Sequence, residues 1–209
     1  MKEKISLLYK MLIVLVGGYA LYINFKLLTF SQGILYFTNI SNLLCFIYFL
    51  VLVILKIAKK DKDSDAHYII KGAVTMSIAL TMFVYNAILS SNASMSVFDG
   101  HQLETSLVHI VVPLLVIFDY IIFGKKGHLK KHYPLIWSTV LIAYMIFIYS
   151  YIGFGGVFID NAKYPYPFMD VSNNGFIGVV GIICIIIFVY LGFGYVVQTI
   201  DNKLSKRKK

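Results

Sequence analysis

The sequence predicts an all-α fold: one polytopic domain, residues 1–209, in which six helices cross a membrane as a bundle. Composition is the first reason, because 59% of the residues are hydrophobic, only 14% are charged, and the mean hydropathy is +0.78. The second is that the apolar residues form six runs, each near the length of about 20 residues that one helical crossing needs. The third is that nearly all lysines fall on one side of such a bundle.

The six apolar runs cover roughly residues 5–26, 34–56, 69–91, 102–124, 133–153 and 174–199. They are continuous, whereas the strands of a membrane barrel alternate over about 10 residues, so a barrel is excluded. Ile34 to Leu55 and Val171 to Ile200 contain no charged residue, which makes these two spans the clearest. The first run lacks a convincing small-residue cleavage site, and we interpret it as a retained helix rather than a signal peptide.

Lysine placement predicts the orientation of the bundle. With six crossings, most basic groups fall on one side of the membrane, which the positive-inside rule makes cytoplasmic. They lie before the first run and after the second, the fourth and the sixth. We therefore expect a multi-pass protein of the plasma (cytoplasmic) membrane with both termini inside. These groups are Lys2, Lys4, Lys56, Lys59, Lys60, Lys62, Lys71, Lys125, Lys126, Lys130, Lys131 and the tail 203–209, against Lys26 and Lys163 opposite.

The formal net charge of +9 follows from this topology. Four short basic loops around a bundle do not suggest a nucleic-acid partner, so membrane lipids are the expected partners. The tail KLSKRKK could attract anionic lipid, at about 1 kcal/mol for each basic side chain near the surface. Helix flanking explains that tail equally well. Cys45 and Cys184 fall within predicted helices, so no disulfide framework is implied.

The longest loop, roughly residues 154–173, lies on the outer side of the predicted bundle. It contains Tyr164-Pro-Tyr166-Pro167-Phe-Met-Asp170, and its prolines and aromatics predict a stiff, extended segment rather than a helix. Two roles fit this segment. Its aromatic rings could form an interfacial belt, or the segment could be a lid at the entrance of an outward-facing cavity.

Polar side chains on three predicted helices reach similar depth in the outer half of the membrane, counted at about 1.5 Å per residue. This coincidence predicts a site. Each residue also has a plainer interpretation, since membrane helices use such side chains for interhelical hydrogen bonds worth about 0.6–2 kcal/mol. The residues are Thr38, Ser41 and Asn42 on the second helix, Asn86 on the third and His109 on the fourth.

Two acidic residues accompany the fourth helix. Glu104 lies at its outer end, where a carboxylate favours the positive helix terminus and could orient His109. Asp119 lies near the inner end, and an ionisable residue inside a membrane helix marks a functional site by default. Asp119 could instead simply pair with Lys125 or Lys126. Pro113 lies between His109 and Asp119 and has no backbone N–H. It therefore predicts a bend in the helix and an unpaired backbone carbonyl at His109.

The chemistry that this polar set could perform is acyl transfer. A threonine hydroxyl becomes a nucleophile when a neighbouring base accepts its proton, and histidine is the usual base. The amide of Asn42 or Asn86 could stabilise the oxyanion. No G-x-S-x-G or H-E-x-x-H motif is present, and His128 and His132 at i, i+4 spacing lie in a lysine-rich loop where solvation explains them. We predict neither a metal nor a cofactor.

Three motifs resemble those of the bacterial Pr6Pr family of six-helix membrane proteins and, more distantly, the animal FAR-17a-like androgen-induced and androgen-dependent TFPI-regulating proteins. They are Phe37-Thr-Asn-Ile-Ser-Asn42, the stretch from His109 through Pro113 to Asp119, and Tyr166-Pro-Phe-Met-Asp170. The animal members are intramembrane threonine hydrolases that cleave fatty acid esters of hydroxy fatty acids. Their histidine-to-proline spacing is one residue longer. The resemblance implies Thr38 as nucleophile, His109 as base and a hydrophobic acyl substrate.

The sequence thus favours an intramembrane hydrolase of fatty acyl or lipid esters. The alternative is a non-enzymatic transporter or binder of a small hydrophobic or protonatable solute, in which His109 and Asp119 would be gating or proton-relay groups. A membrane scaffold is the third possibility. Inverted repeats are common in transporter folds, and none is apparent in this sequence.

Overall fold

The computed structural model describes residues 1–89 and 100–206 and is built almost wholly from helices. We number the long helices α1 (Lys2–Leu27), α2 (Phe37–Ile57), α3 (Asp65–Val84), α4 (Val112–Phe123), α5 (Tyr133–Gly153) and α6 (Val171–Lys206). A short helix, Phe30–Gly33, precedes α2, and another, Gly100–Ser106, leads toward α4. Within the described residues, six helical spans are long and apolar enough to cross a membrane, which confirms the predicted all-α fold with six helices of that kind.

Two short π-helical segments interrupt the α-helical winding on neighbouring spans. The first, π1 (Tyr85–Leu89), continues α3, and the second, π2 (Leu107–Val111), leads directly into α4. A π-helical turn holds one more residue than an α-helical turn and is found frequently at functional sites. The predicted third run extends to residues 90–91, which lie outside the described residues.

α3 is the central helix of the bundle and packs against α2, α4, α5 and α6. α1 contacts α2, α4 and π2, so that α1 to α4 form one packed group while α5 and α6 join it along α3. A buried apolar cluster inside that group includes Ile13, Ile78 and Val112. A second cluster joins α3, α5 and α6 around Trp137 and Tyr190.

The loop from Phe154 to Asp170 is more ordered than the sequence suggests. Pro167–Met169 forms a single 3-10 turn instead of a fully extended segment, and the Met169 side chain is completely buried. Asp170 then caps α6, because its carboxylate accepts the backbone N–H of Ser172 at 2.8 Å. The loop is thereby fixed at the C-terminal end of its aromatic stretch.

Candidate functional site

Thr38 and His109, which are 71 residues apart, meet where the first turn of α2 faces π2. Thr38 Oγ1 lies 3.2 Å from Nε2 of His109, and both residues are partly buried. The other ring nitrogen, Nδ1, is 2.9 Å from the backbone carbonyl of Thr105. A carbonyl only accepts, so Nδ1 carries the proton in the neutral imidazole and Nε2 has a lone pair. The Thr38 hydroxyl therefore donates to Nε2.

Stacking on Tyr85 fixes the plane of the His109 ring. The two ring centroids are 3.9 Å apart and the planes are inclined by 20°. Tyr85 is the first residue of π1, and His109 lies in the middle of π2, so both π-helical segments contribute directly to this contact. The imidazole is consequently held by one hydrogen bond at each nitrogen and by one ring face.

Asn42 stabilises the π-helical geometry beside the histidine. In π2 the N–H of Val112 donates to the carbonyl of Leu107, one residue further back than in an α-helix. The same register pairs the Val108 carbonyl with residue 113, a proline without N–H. The Asn42 amide donates to that carbonyl at 3.0 Å. The carbonyl that Pro113 leaves without a backbone donor is thus Val108, one residue before the predicted one.

Asn42 and Ser41 therefore have structural contacts rather than contacts with a reacting group. The second N–H of the Asn42 amide donates to the carbonyl of Thr38 at 2.8 Å, so both amide hydrogens are engaged by backbone. Ser41 Oγ is 2.9 Å from that same carbonyl and 2.7 Å from Oγ1 of Thr81, which joins α2 to α3. For Ser41 this is the interhelical bonding that the sequence left open.

Asn86 and Glu104 are the other two residues that the sequence predicted to assist the site. The Asn86 amide donates to the carbonyl of Met82 at 2.7 Å, in its own helix, and its side chain lines a different cavity. The partner of His109 Nδ1 is the Thr105 backbone, so the partly buried Glu104 carboxylate is not the group that orients the ring. The Asn42 amide is thus engaged by backbone, and Asn86 lines a different cavity from the one next to Thr38.

Tyr166 brings the loop between α5 and α6 against Thr38. A cavity of about 40 Å³ is bordered by Thr38, Tyr85, Tyr144, Tyr166 and Phe168 among others, so the loop closes this space as a lid would. Burial raises the pKa of the Tyr166 hydroxyl, while hydrogen bonding to Thr38 partly lowers that pKa again. The Tyr166 and Phe168 rings stack with centroids 5.3 Å apart.

The other residues predicted at the entrance support the lid without bordering this cavity. Tyr164 packs against the cluster around α5, Pro167 starts the 3-10 turn, and the carbonyl of Pro167 accepts the Asn174 amide at 2.9 Å. Asp170 is engaged as the cap of α6. Only Tyr166 of the predicted entrance set reaches the threonine.

A larger groove of about 940 Å³ runs between α3, α4 and α6. Its walls are mainly apolar and include Phe83, Ile110, Ile117 and Phe193, and it reaches Lys126 and Asp201 at the far end. Leu80 borders both this groove and the small cavity next to Thr38. The groove has the shape and polarity for a hydrocarbon chain.

Asp119 belongs to a separate ion cluster near the opposite end of the bundle. It is completely buried, and its carboxylate accepts Lys10 Nζ at 2.5 Å and Lys71 Nζ at 2.8 Å. The predicted pairing with Lys125 or Lys126 is wrong, because Lys125 pairs with Asp63 and Lys126 Nζ donates to the carbonyl of Tyr120. Sequence reasoning missed Lys10, whose signal was its position as the sixth residue of the first apolar run.

Within residues 1–89 and 100–206, no group of three or more His, Cys, Asp or Glu side chains has metal-binding geometry.

Comparison of the chain with family models, with curated proteins and with solved structures finds no match. The described fold and site define a class: a bundle with six helices of membrane-crossing length and a partly buried threonine–histidine pair.

Proposed function

We propose that this protein is an intramembrane hydrolase of fatty acyl or lipid esters, with Thr38 as nucleophile and His109 as general base. The observation that carries the proposal is the 3.2 Å contact between Thr38 Oγ1 and His109 Nε2, with the tautomer set by the Thr105 carbonyl. A hydroxyl paired with a neutral, oriented imidazole is the arrangement that activates oxygen nucleophiles.

The reaction balances with these two side chains and water. As Thr38 Oγ1 bonds to the acyl carbon, its proton passes to Nε2 of His109. Collapse of the tetrahedral intermediate breaks the ester C–O bond, and His109 gives the same proton to the leaving alcohol. Water then attacks the acyl-threonine, His109 accepts a proton from that water, and Thr38 regains its hydroxyl as the free fatty acid leaves.

Tyr166 is the residue best situated to stabilise the oxyanion. Both amide hydrogens of Asn42 are engaged by backbone carbonyls, whereas Tyr166 borders the cavity next to Thr38, and its hydroxyl is near enough to that residue for the interaction to lower its pKa. A hydroxyl that donates to developing negative charge in a site shielded from water stabilises a transition state. Tyr166 would thus combine the predicted lid position with a role in the reaction.

The groove of about 940 Å³ supplies space for the acyl chain, which the cavity of about 40 Å³ next to Thr38 cannot hold. Leu80 borders both spaces, so the groove lies next to the small cavity. A substrate with a long apolar chain and an ester near one end fits this division. Membrane lipids or branched fatty acid esters therefore form the proposed substrate class.

The test compares purified wild type, Thr38→Ala and His109→Ala on a panel of fatty acyl esters that includes esters of hydroxy fatty acids. Thr139→Ala is the matched control, since the Thr139 hydroxyl is exposed and bonds only within α5. Hydrolysis should be lost in both site variants and retained in the control. A fluorophosphonate adduct should form on wild type and not on Thr38→Ala.

Full hydrolysis by Thr38→Ala would refute the threonine mechanism. No hydrolysis by wild type on any ester would favour the alternative, a binder or transporter of a hydrophobic solute. The same proposal includes a relationship to the Pr6Pr family, insertion in the plasma membrane, and both termini on the cytoplasmic side. Reporter fusions after Lys60 and after Lys131 test that orientation, because both should remain on the side of the termini.

A further inference from the structure

The ion cluster around Asp119 contains one more positive than negative charge. One carboxylate accepts two ammonium groups, and the side chains of Asp119, Lys10 and Lys71 are 0%, 5% and 9% exposed. A buried charge without a counter-charge is strongly disfavoured, whereas a one-to-one pair is tolerated. Two buried lysines on a single aspartate therefore leave a charge of about +1 that an anion would neutralise.

The excess charge faces a cavity of about 190 Å³ at the lysine-rich end, which we define as the end carrying Lys56, Lys125 and the tail of α6. Ion pairs account for most of the other charges there, because Lys56 pairs with Asp61 and Lys125 pairs with Asp63. The wall also includes Glu3, Lys62 and His67, together with the hydroxyl-bearing Tyr68 and Tyr120. Glu3 and Lys62 are exposed and carry opposite charges, so together they do not change the net charge around the cavity.

The two buried ammonium groups have hydrogen-bonding capacity beyond Asp119. An ammonium group carries three N–H donors. Lys10 Nζ donates to Asp119 and, at 2.8 Å, to Ser6 Oγ, while Lys71 Nζ donates to the other oxygen of Asp119. Three of six N–H donors are engaged in these bonds, which leaves three to face a ligand with several acceptor oxygens.

We propose that this cavity binds a phosphate group. A phosphate group combines one to two negative charges with several strong acceptor oxygens, and lysine is a common phosphate ligand. The group would be carried by an anionic lipid at the membrane surface or by a soluble phosphate compound. The site is separate from Thr38, since Asp119 lies ten residues, or about 15 Å of helix, beyond His109.

The decisive variants are Lys71→Met and Lys10→Met. Each leaves a one-to-one pair with Asp119, so each should fold while it removes the excess charge. Lys131→Met is the control, because it makes the same change at the same end of the bundle and Lys131 does not line the cavity. Lys71→Arg, which keeps the charge, should keep binding.

The measurement is thermal unfolding of the full chain in uncharged detergent, followed by fluorescence of its single tryptophan, Trp137, with inorganic phosphate titrated against chloride at constant ionic strength. Phosphate should raise the unfolding midpoint of wild type and Lys131→Met in a saturable manner. Lys71→Met and Lys10→Met should need at least about tenfold more phosphate for the same rise in unfolding midpoint, because each variant loses a charge-assisted hydrogen bond to the ligand.

A second arm places the protein in nanodiscs of phosphatidylcholine with and without phosphatidylglycerol. Stabilisation that requires phosphatidylglycerol and is lost in Lys71→Met identifies a lipid headgroup as the source of the phosphate. Stabilisation by inorganic phosphate alone identifies a soluble compound. The proposal is overturned if neither probe stabilises wild type, or if wild type, Lys71→Met and Lys10→Met respond equally. Ester hydrolysis does not enter this readout.

Discussion

The Asn42 amide donates to the carbonyl of Val108 at 3.0 Å, and this bond joins α2 to the segment that carries His109. Its other hydrogen bonds to the Thr38 carbonyl, at 2.8 Å. One buried side chain thus connects the backbone of the proposed nucleophile to the backbone beside the proposed base. The distance between Thr38 and His109 depends on this connection.

Replacing Asn42 with Leu should lower the free energy of unfolding by about 1–3 kcal/mol, because the buried Val108 carbonyl loses its donor. Ester hydrolysis should fall as well, since Thr38 and His109 are no longer held together. Thermal unfolding and initial rates measure the two effects. Thr139→Ala removes an exposed hydroxyl from α5 and should change neither. An Asn42→Leu protein as stable as wild type would contradict the assigned hydrogen bond.

Replacing Pro113 with Ala should reduce the need for Asn42. The alanine restores an N–H five residues after Val108, which can satisfy that carbonyl within the helix. A double-mutant cycle should show that Asn42→Leu costs less in the Pro113→Ala background, with a coupling of about 0.5–3 kcal/mol. Additive stability changes would show that Pro113 and Asn42 do not serve the same carbonyl.

Replacing Asp119 with Asn should destabilise the protein by about 3–5 kcal/mol, because two buried lysines are left without their shared carboxylate. Asp63→Asn is the matched control. Asp63 pairs with Lys125 in an exposed position, so its loss should cost well under ~1 kcal/mol. Unfolding midpoints of the two variants should therefore differ widely, and equal midpoints would argue against a buried ion cluster.

The Asp63 pair also has a defined pH dependence. Hydrogen bonding to Lys125 lowers the pKa of Asp63 in the folded protein. The small stabilising effect of the Asp63–Lys125 pair is therefore fully present above the pKa that Asp63 has in the unfolded chain. It disappears as the pH falls through the lower pKa that Asp63 has in the folded protein. The difference in unfolding midpoint between wild type and Asp63→Asn should therefore vanish in acid. A difference that grows in acid would have the wrong sign.

Replacing Tyr166 with Phe should lower kcat by about 10²–10³-fold if the hydroxyl stabilises the oxyanion, because that is the usual effect of losing one such donor. The ring and its stacking on Phe168 remain, so the unfolding midpoint and KM should change little. Tyr164→Phe is the control, since Tyr164 does not border the cavity. Equal kcat values for both variants would remove Tyr166 from the reaction.

Helix positions were predictable because the length of an apolar run directly sets the length of a membrane-crossing helix. α5 occupies residues 133–153 as expected, between a lysine-rich loop and a glycine. The proximity of Thr38 to His109 was also predictable, because both residues lie a similar number of residues from the helix ends on the same side of the bundle. Depth counted along separate helices does not depend on knowing how those helices pack.

The partners of individual polar groups were not predictable. Lys71 looks like an ordinary flanking lysine in the sequence, and Lys10 lies inside the first apolar run with no sign of its partner. Only the packing of α1, α3 and α4 brings both lysines to Asp119. The amide of Asn42 seemed available for an oxyanion because nothing in the sequence marks π2, whose register creates the carbonyl that engages it. Which backbone groups a side chain binds depends on how the neighbouring helix is wound. The only sign of π-helical winding in this part of the sequence is Pro113.

The π-helical winding of π2 has a consequence for how this chain tolerates changes in length. An α-helix that gains or loses one residue rotates everything beyond it by about 100°, which would turn one of two ends away from its partners. A segment that already holds an additional residue can absorb the loss of one residue by rewinding to an α-helical turn. A deletion of one residue within π2 should therefore leave the rest of α4, including Asp119, in its present orientation.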